Sequence, residues 1–385
     1  MLPTVLFVSK PIAAPFHDGT KCLVRDLALG CREHHAVVMG VRGDPATWAA
    51  GSNVEVARAY PEGGTFAPTL GNNLRAACWL VTSARTDVWH FVFAPNPRTS
   101  QVGRWLSRWR RVPVVQTVAS PPRDFRGIER LLFGDVVVAQ SDWTKRRILA
   151  NCRRPPPIEV IPPPVPNVAP PSPERVHAAR QALGIPAEAP LFVYPGDLEQ
   201  TAAVRAVECA MDAIRARLPA AVFVFAYRPK TAAAPELARE LRERTNPERV
   251  RVTGDVQDIL ALVAGATAVL FPVDDLWGKV DLPIVLLESM ALGVPVIAFA
   301  FGPLCELGGI VLVSLGDRTE LGVACVRVAE DARWRGAIAS AEQRAIEQKH
   351  RASVVVRQYE RVYAGLTGEP GDALRRRHAR LARQG

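Results

Sequence analysis

The sequence predicts an α/β protein built as two doubly wound, Rossmann-like parallel-sheet domains. Three observations predict it. Short apolar runs alternate with longer helical patterns along both halves, as in parallel sheets with helices on both faces. A proline-dense stretch at 153–173 divides the halves. Near the start, a strand-like run leads through a glycine-bearing loop into a helix, an arrangement that lets backbone approach a phosphate. The 385 residues are enough for two domains with sizeable cores.

The second half is organised around 278–297, which reads as a loop, a helix, a turn and a buried strand. Asp281 is expected to cap the helix, its carboxylate accepting from first-turn N–H groups. Pro283 is tolerated there because those N–H groups lack intrahelical partners. Gly293 stops the helix, and 294–300 form an apolar strand. A helix N-terminus that opens from a loop is a natural anion site. Glu288 stands two turns into an otherwise almost wholly apolar helix. A lone buried carboxylate is costly unless a partner satisfies it, which singles out Glu288 for a ligand-facing role.

Glu288, Met290, Ala291, Gly293, Pro295, Val296 and Ile297 resemble the second half of the donor-binding signature of retaining family 4 glycosyltransferases. The family signature has two glutamates with seven residues between them. The place of the first is taken here by Val280, so the resemblance is to a divergent branch. It implies the GT-B architecture, two Rossmann-like domains facing across a cleft. It also implies transfer of a sugar, with retention, from a nucleoside-diphosphate sugar, in cell-envelope polysaccharide or glycoconjugate synthesis. That sugar nucleotide serves as co-substrate, and neither metal nor other cofactor is implied. The alternative reading is a GT-B-shaped binding or scaffold protein that has lost catalysis.

Taken in order, 4–9 is a first parallel strand, followed by the loop holding Gly19 and Thr20 and a helix from about 21 to 30. By itself the glycine reads equally as an ordinary tight turn, but the family has a glycine loop at this place. A second strand covers 36–41. Residues 87–92 resemble the family's fourth strand, with His90 as the remaining member of a frequent histidine pair. His90 reads either as a substrate contact or as a satisfied core residue. After the strand at 112–118 the family often has a sugar-contacting histidine; this chain has Ala119. Residues 136–147 match a family strand and helix start, with Ser141 as N-cap. Val102, Trp105, Leu106 and Trp109 recur at helical spacing, flanked by Arg104, Arg108, Arg110 and Arg111. Such a helix either packs on the sheet or lies in an anionic membrane interface.

The prolines at 155–157, 162–164, 166, 170, 171 and 173 make a stiff, extended spacer. The embedded strand at 158–162 closes the first domain. Strands at 191–194, 221–226, 250–253 and 268–272 alternate with helices at 203–217, 235–244 and 256–263, and 333–366 is helical. The expected organisation is an acceptor-side domain at 1–168 and a donor-side domain at 169–340. A helix at 341–368 returns to the first domain, and a basic tail at 369–385 carries five arginines.

The family's phosphate-binding arginine and lysine, in the loop after the first strand of the donor domain, are replaced by Asp197 and Ala202. A diphosphate carries about two negative charges and needs cations. Lys279, before the signature helix, and Arg228 with Lys230, after the strand ending at 226, are the replacements expected at strand ends facing the ligand. Lys279 and Arg228 are assigned to catalysis. Glu288 is expected to hold the ribose hydroxyls. Lys230, Gly19, Thr20, Gly196, Asp197, His90, Leu282 and Pro283 complete the expected substrate contacts.

Composition limits the alternatives. With 48% apolar residues the chain is globular. No uninterrupted apolar helix of membrane-spanning length occurs, and no leader-like segment opens the chain. A location in the cytoplasm, or peripheral on the inner face of the membrane, is expected. The seven scattered cysteines form no CxxC pair and indicate a reduced compartment. The net charge of +10 fits phosphorylated ligands, an acidic membrane or nucleic acid. Nucleic acid is disfavoured by the lack of zinc-ligand spacing, an RNA-binding aromatic motif or a P-loop. The expected partners are a nucleotide-sugar donor and an acceptor, lipid-linked or polysaccharide, with an anionic membrane surface as a further candidate.

Overall fold

A computed structural model of the chain describes residues 2–368 except 15, 17, 62–68, 83–85, 166–167, 230, 255 and 277–279. The chain forms two compact units. One comprises Met1–Pro166, Trp277–Asp281 and Arg351–Gly385; the other comprises Asn167–Leu276 and Leu282–His350. The return to the N-terminal unit thus begins at Arg351, later than the expected 341. The expected tail lies outside the described residues.

The N-terminal unit contains β1 (Thr4–Val8), α1 (Gly19–Gly30), β2 (His35–Val41), β3 (Val54–Tyr60), α2 (Leu70–Thr82), β4 (Val88–Phe93), α3 (Pro97–Arg110), β5 (Val114–Val118), β6 (Val136–Ala139), α4 (Asp142–Asn151) and β7 (Ile158–Val160). The C-terminal unit contains α5 (Pro173–Ala182), β8 (Leu191–Tyr194), α6 (Thr201–Arg217), β9 (Val222–Ala226), α7 (Ala234–Arg244), β10 (Val250–Thr253), α8 (Ile259–Ala264), β11 (Ala268–Phe271), α9 (Ile284–Ala291), β12 (Val296–Phe299), β13 (Val311–Val313), α10 (Arg318–Glu330) and α11 (Ala332–Ala345). A π-helical turn, Ile346–His350, leads to α12 (Ala352–Thr367), which belongs to the N-terminal unit.

Every strand pair is parallel. The sheets run β3-β2-β1-β4-β5-β6-β7 and β10-β9-β8-β11-β12-β13. The two doubly wound parallel sheets expected from the alternation are therefore present. Each sheet is buried on both faces, which is why its strands read as continuous apolar runs. In β1, Val5 and Phe7 pack with Leu23 and Leu27 of α1 and Tyr359 of α12, while Leu6 packs on the opposite face with Trp89 and Leu106.

α12 holds to its unit by one stripe. Val355, Tyr359 and Tyr363 recur every four residues and are buried, each such side chain contributing about 1.5–3 kcal/mol. Glu360 on the same face accepts from the N–H groups of Arg32 and Glu33 at 2.7 and 2.6 Å.

Several local readings shift. α1 starts at Gly19, not near 21, because Asp18 caps it. α8 starts at Ile259, capped by Asp258, not at 256. β3, α2, β13 and α10 are elements the sequence reading passed over. Ser141 does cap α4, accepting from Thr144 N–H at 3.0 Å. Gly293 ends the signature helix with φ of 72°, a left-handed conformation suited to glycine.

α3 divides its expected apolar stripe in two. Leu106 is buried, while Val102, Trp105 and Trp109 are exposed and the two indole rings stack, with centroids 6.4 Å apart. None of the described helices is long and apolar enough to cross a membrane.

Candidate functional site

In a doubly wound sheet, ligands bind beyond the carboxyl ends of the strands where the strand order reverses. In the C-terminal unit that point lies between β8 and β11. The loop after β8 is packed from below. Tyr194 is buried and its Oη donates to the Asp197 carbonyl at 3.2 Å. A Cβ at position 196 would fall 2.2 Å from the Tyr194 ring, so the close approach requires Gly196. Burial, and then the nearby carboxylates of Asp197, Glu199 and Asp274, push the Tyr194 hydroxyl well up, so it stays neutral.

The loop after β9 is tied to this one. Arg228 Nη2 donates to Asp197 Oδ1 at 3.4 Å, and Thr231 Oγ1 donates to Glu199 Oε1. The structure thus brings together three of the predicted residues: Gly196, Asp197 and Arg228. Lys230 and Lys279 lie outside the described residues.

Among the described residues three helices, α6, α7 and α9, open at this edge without a side-chain cap; α6 and α9 follow the two strands at the switch point. Gln200 at the head of α6 and Pro283 at the head of α9 make no side-chain cap hydrogen bond. No cap side chain covers the positive end of either dipole, although Leu286 N–H of the first α9 turn donates to the Pro283 carbonyl at 3.0 Å. Asp281 does not cap the signature helix. Its carboxylate is instead buried against α4, accepting from Ser141 Oγ at 2.7 Å and Thr144 Oγ1 at 2.9 Å. Leu282 and Pro283 are buried just before α9. Glu288 is only half-buried, on the α9 face shared with Ile284 and Ala291, whereas Leu286, Leu287, Ser289 and Met290 face the core. The expected lone buried carboxylate is thus replaced by one that reaches the surface.

In the N-terminal unit the order reverses between β1 and β4. Gly19 and Thr20 form the first turn of α1 there. Asp18 accepts from the N–H groups of Thr20 and Lys21 at 2.9 and 3.2 Å, and Lys10 Nζ donates to it at 2.7 Å. Burial alone would raise the Asp18 carboxyl, but the Lys10 ammonium and those two N–H groups outweigh it and hold the carboxyl low. Lys10 and Asp18 were missed, although an Asp directly before a helix start is a cap signal readable in sequence.

His90 is a core residue. It is fully buried, with Nε2 2.7 Å from Thr117 Oγ1 and Nδ1 2.8 Å from Tyr363 Oη. Tyr359 Oη extends the chain to Thr117 Oγ1 at 3.1 Å. Burial pushes the imidazole down to about 3, so it is neutral and both ring nitrogens are engaged. Its role here is to seat α12, not to meet a substrate. Among the described residues no cluster of His, Cys, Asp or Glu could hold a metal ion.

Residues 189–331 match the family model of group 1 glycosyl transferases. No curated protein matches the sequence. Among solved structures, Alr3699/HepE of Anabaena, determined with UDP-glucose, is 20% identical, over 94% of this chain and 99% of that one, with a TM-score of 0.70. Sucrose-phosphate synthase of Thermosynechococcus elongatus is 18% identical over 95% and 99%, with a TM-score of 0.70. A trehalose 6-phosphate synthase of Burkholderia multivorans is 13% identical over 97% and 99%, with a TM-score of 0.67. The chain thus has the GT-B fold and carries a group 1 glycosyltransferase domain in its C-terminal unit.

Proposed function

We propose that the protein is a retaining glycosyltransferase that moves a sugar from a nucleoside-diphosphate sugar to a lipid-linked or polysaccharide acceptor in envelope or glycoconjugate synthesis. The observation that carries this reading is the location of the open helix heads. Those of α6 and α9 follow β8 and β11, the switch-point strands inside the group 1 domain, and Asp197, in the loop between Gly196 and the α6 head, contacts Arg228. Backbone N–H groups at such heads, with a guanidinium alongside, suit a diphosphate. Alr3699/HepE, of like fold, was determined with UDP-glucose, which agrees with a donor of this class.

Each group has a task. Glu288 accepts from the ribose hydroxyls. Arg228 and Lys230 hold the diphosphate. When the bond from the sugar's anomeric carbon to the phosphate oxygen breaks, charge builds on the departing diphosphate, and Lys279 stabilises it together with the α9 head. Gly196 keeps backbone, without a side chain, beside the ligand. The sugar nucleotide is co-substrate, and the proposal includes no metal. One observation favours a second reading, a binding protein without turnover: Asp197 offsets the Arg228 charge. Calorimetry with UDP-, GDP- and ADP-sugars, followed by assay of nucleotide release, separates the two. Binding with release supports the enzyme, binding without release the scaffold, and no binding refutes both.

An anionic membrane is the partner proposed for α3. Trp105 and Trp109 are 64% and 57% exposed, and Arg108 and Arg111 are exposed beside them. Arg104 and Arg110 instead donate to the carbonyls of Leu132 and Val81. Paired indoles with flanking arginines suit an interface of apolar chains beneath anionic headgroups. Cosedimentation with phosphatidylglycerol vesicles should succeed at low salt and fall as salt screens the arginines. Binding unaffected by joint Trp105→Ser and Trp109→Ser changes would refute the assignment.

A further inference from the structure

Asp281 makes contacts that the proposed chemistry leaves unused. It stands one position after Val280 and three before Ile284, the first residue of α9. Its carboxylate is fully buried, as are Ser141 and Thr144 on α4's first turn. These partners lie 140 and 137 residues away in sequence. The bonding is directional. Ser141 Oγ accepts from Thr144 N–H, so its single proton is committed to Asp281 Oδ2, while Thr144 Oγ1 donates to Oδ1. The positive end of the α4 dipole faces the same carboxylate. A buried carboxylate is tolerated only where donors satisfy it, and here two donors from one rigid turn do so. Displacing Asp281 would cost its carboxylate both hydroxyl donors, so the backbone that carries it is held in place.

We infer that Asp281 is a positioning residue that fixes the backbone at Val280 and Asp281 to the first turn of α4. The anchor stands on geometry alone. Its kinetic consequence rests on the proposed function, in which Lys279 meets the departing diphosphate.

Two conservative variants of the full chain test it. Asp281→Asn keeps the shape but cannot accept from both hydroxyls. Thr144→Val keeps the branch and leaves the Ser141 cap intact. Hydrogen exchange of amides in 280–289 should quicken about tenfold in Asp281→Asn, and severalfold in Thr144→Val, with β1, β4 and β8 unchanged. Unchanged exchange at 280–289 overturns the anchor. So does quickening spread evenly over the N-terminal unit, which would make Asp281 a general core group. With UDP-glucose as probe, UDP release should fall about tenfold while UDP affinity stays within twofold; equal losses in both would overturn the positioning role. The exchange measurement needs no turnover. A wild-type protein that releases no UDP therefore counts against the proposed function, and exchange alone then decides the anchor.

Discussion

The two units share an architecture but treat their helix starts differently. In the N-terminal unit the helices after β1, β4 and β6 are closed by their own side chains: Asp18 on α1, Asn96 on α3 and Ser141 on α4. In the C-terminal unit the helices after β8, β9 and β11 begin at Gln200, Ala233 and Pro283 with no side-chain cap, whereas α8 and α10, after the outer strands β10 and β13, are capped by Asp258 and Asp317. A cap is worth about 1 kcal/mol. Leaving three inner heads without one gives up stability, and at the two beside the switch point a ligand's oxygens can take over. The same sheet topology thus yields one edge whose helix heads carry side-chain caps and one whose inner heads do not.

The largest expected effect concerns the cations proposed for the diphosphate. Lys279→Ala should lower turnover roughly a hundredfold, with nucleotide affinity much less affected, because leaving-group charge peaks in the transition state. Arg228→Ala should act in the opposite sense, mainly on donor affinity. Steady-state kinetics beside calorimetry would expose a reversal of the two, and with it a wrong assignment of roles.

Next come the buried titrating groups, whose signs differ between the units. His90 is held neutral, pushed down to about 3 from 6.5. The unfolded chain binds a proton there that the native one refuses, so stability falls as pH drops from 6.5 toward 3. Glu342, in α11, is pushed up to about 8 by burial, despite accepting from Val296 N–H at 2.8 Å. The native state keeps that proton while the unfolded state loses it, so stability falls as pH rises from 4.5 to 8. Each slope is limited to about 1.4 kcal/mol per pH unit. Urea unfolding across pH should show Glu342→Gln flattening the alkaline side and leaving the acid side unchanged.

A smaller loss belongs to Glu288. Glu288→Gln should weaken nucleotide binding by roughly 1–3 kcal/mol, the range for charge-assisted bonds, with little change in melting temperature because the side chain is only half-buried. If stability fell and affinity held in paired calorimetry and melting runs, Glu288 would be a structural residue.

The smallest change sharpens the comparison most directly. Gln200→Asp would close the α6 head as Asp18 closes α1. It should stabilise the fold by about 1 kcal/mol and weaken nucleotide binding at the same time. Asp18→Ala should cost a similar amount of stability without touching nucleotide affinity. A Gln200→Asp protein that binds nucleotide as tightly as wild type would remove the α6 head from the donor site.

Much of this was legible beforehand where the signal is local. Apolar runs gave the central strands of both sheets, Gly293 the end of α9 and Ser141 the start of α4, because a strand period, a left-handed turn and a cap each depend on a few neighbouring residues. Asp281 shows the limit of such signals. As a cap candidate two residues before Pro283 it was a sound local reading, but Ser141 and Thr144 offered its carboxylate two hydroxyls, and no window of sequence contains that competition.

The sequence by itself determined the alternation of strands and helices, the division into halves and the family likeness of 278–297, all properties of chain neighbours. Only the tertiary structure decided that His90 is sealed by Tyr363 and Thr117, that Asp197 sits against Arg228, and that Trp105 and Trp109 face outward while Leu106 faces in. The physical reason is that these outcomes depend on strand order and on the return of α12 to the first sheet. Both bring together residues tens to hundreds of positions apart, whose pairing is chosen by burial and by satisfaction of polar groups over the whole fold.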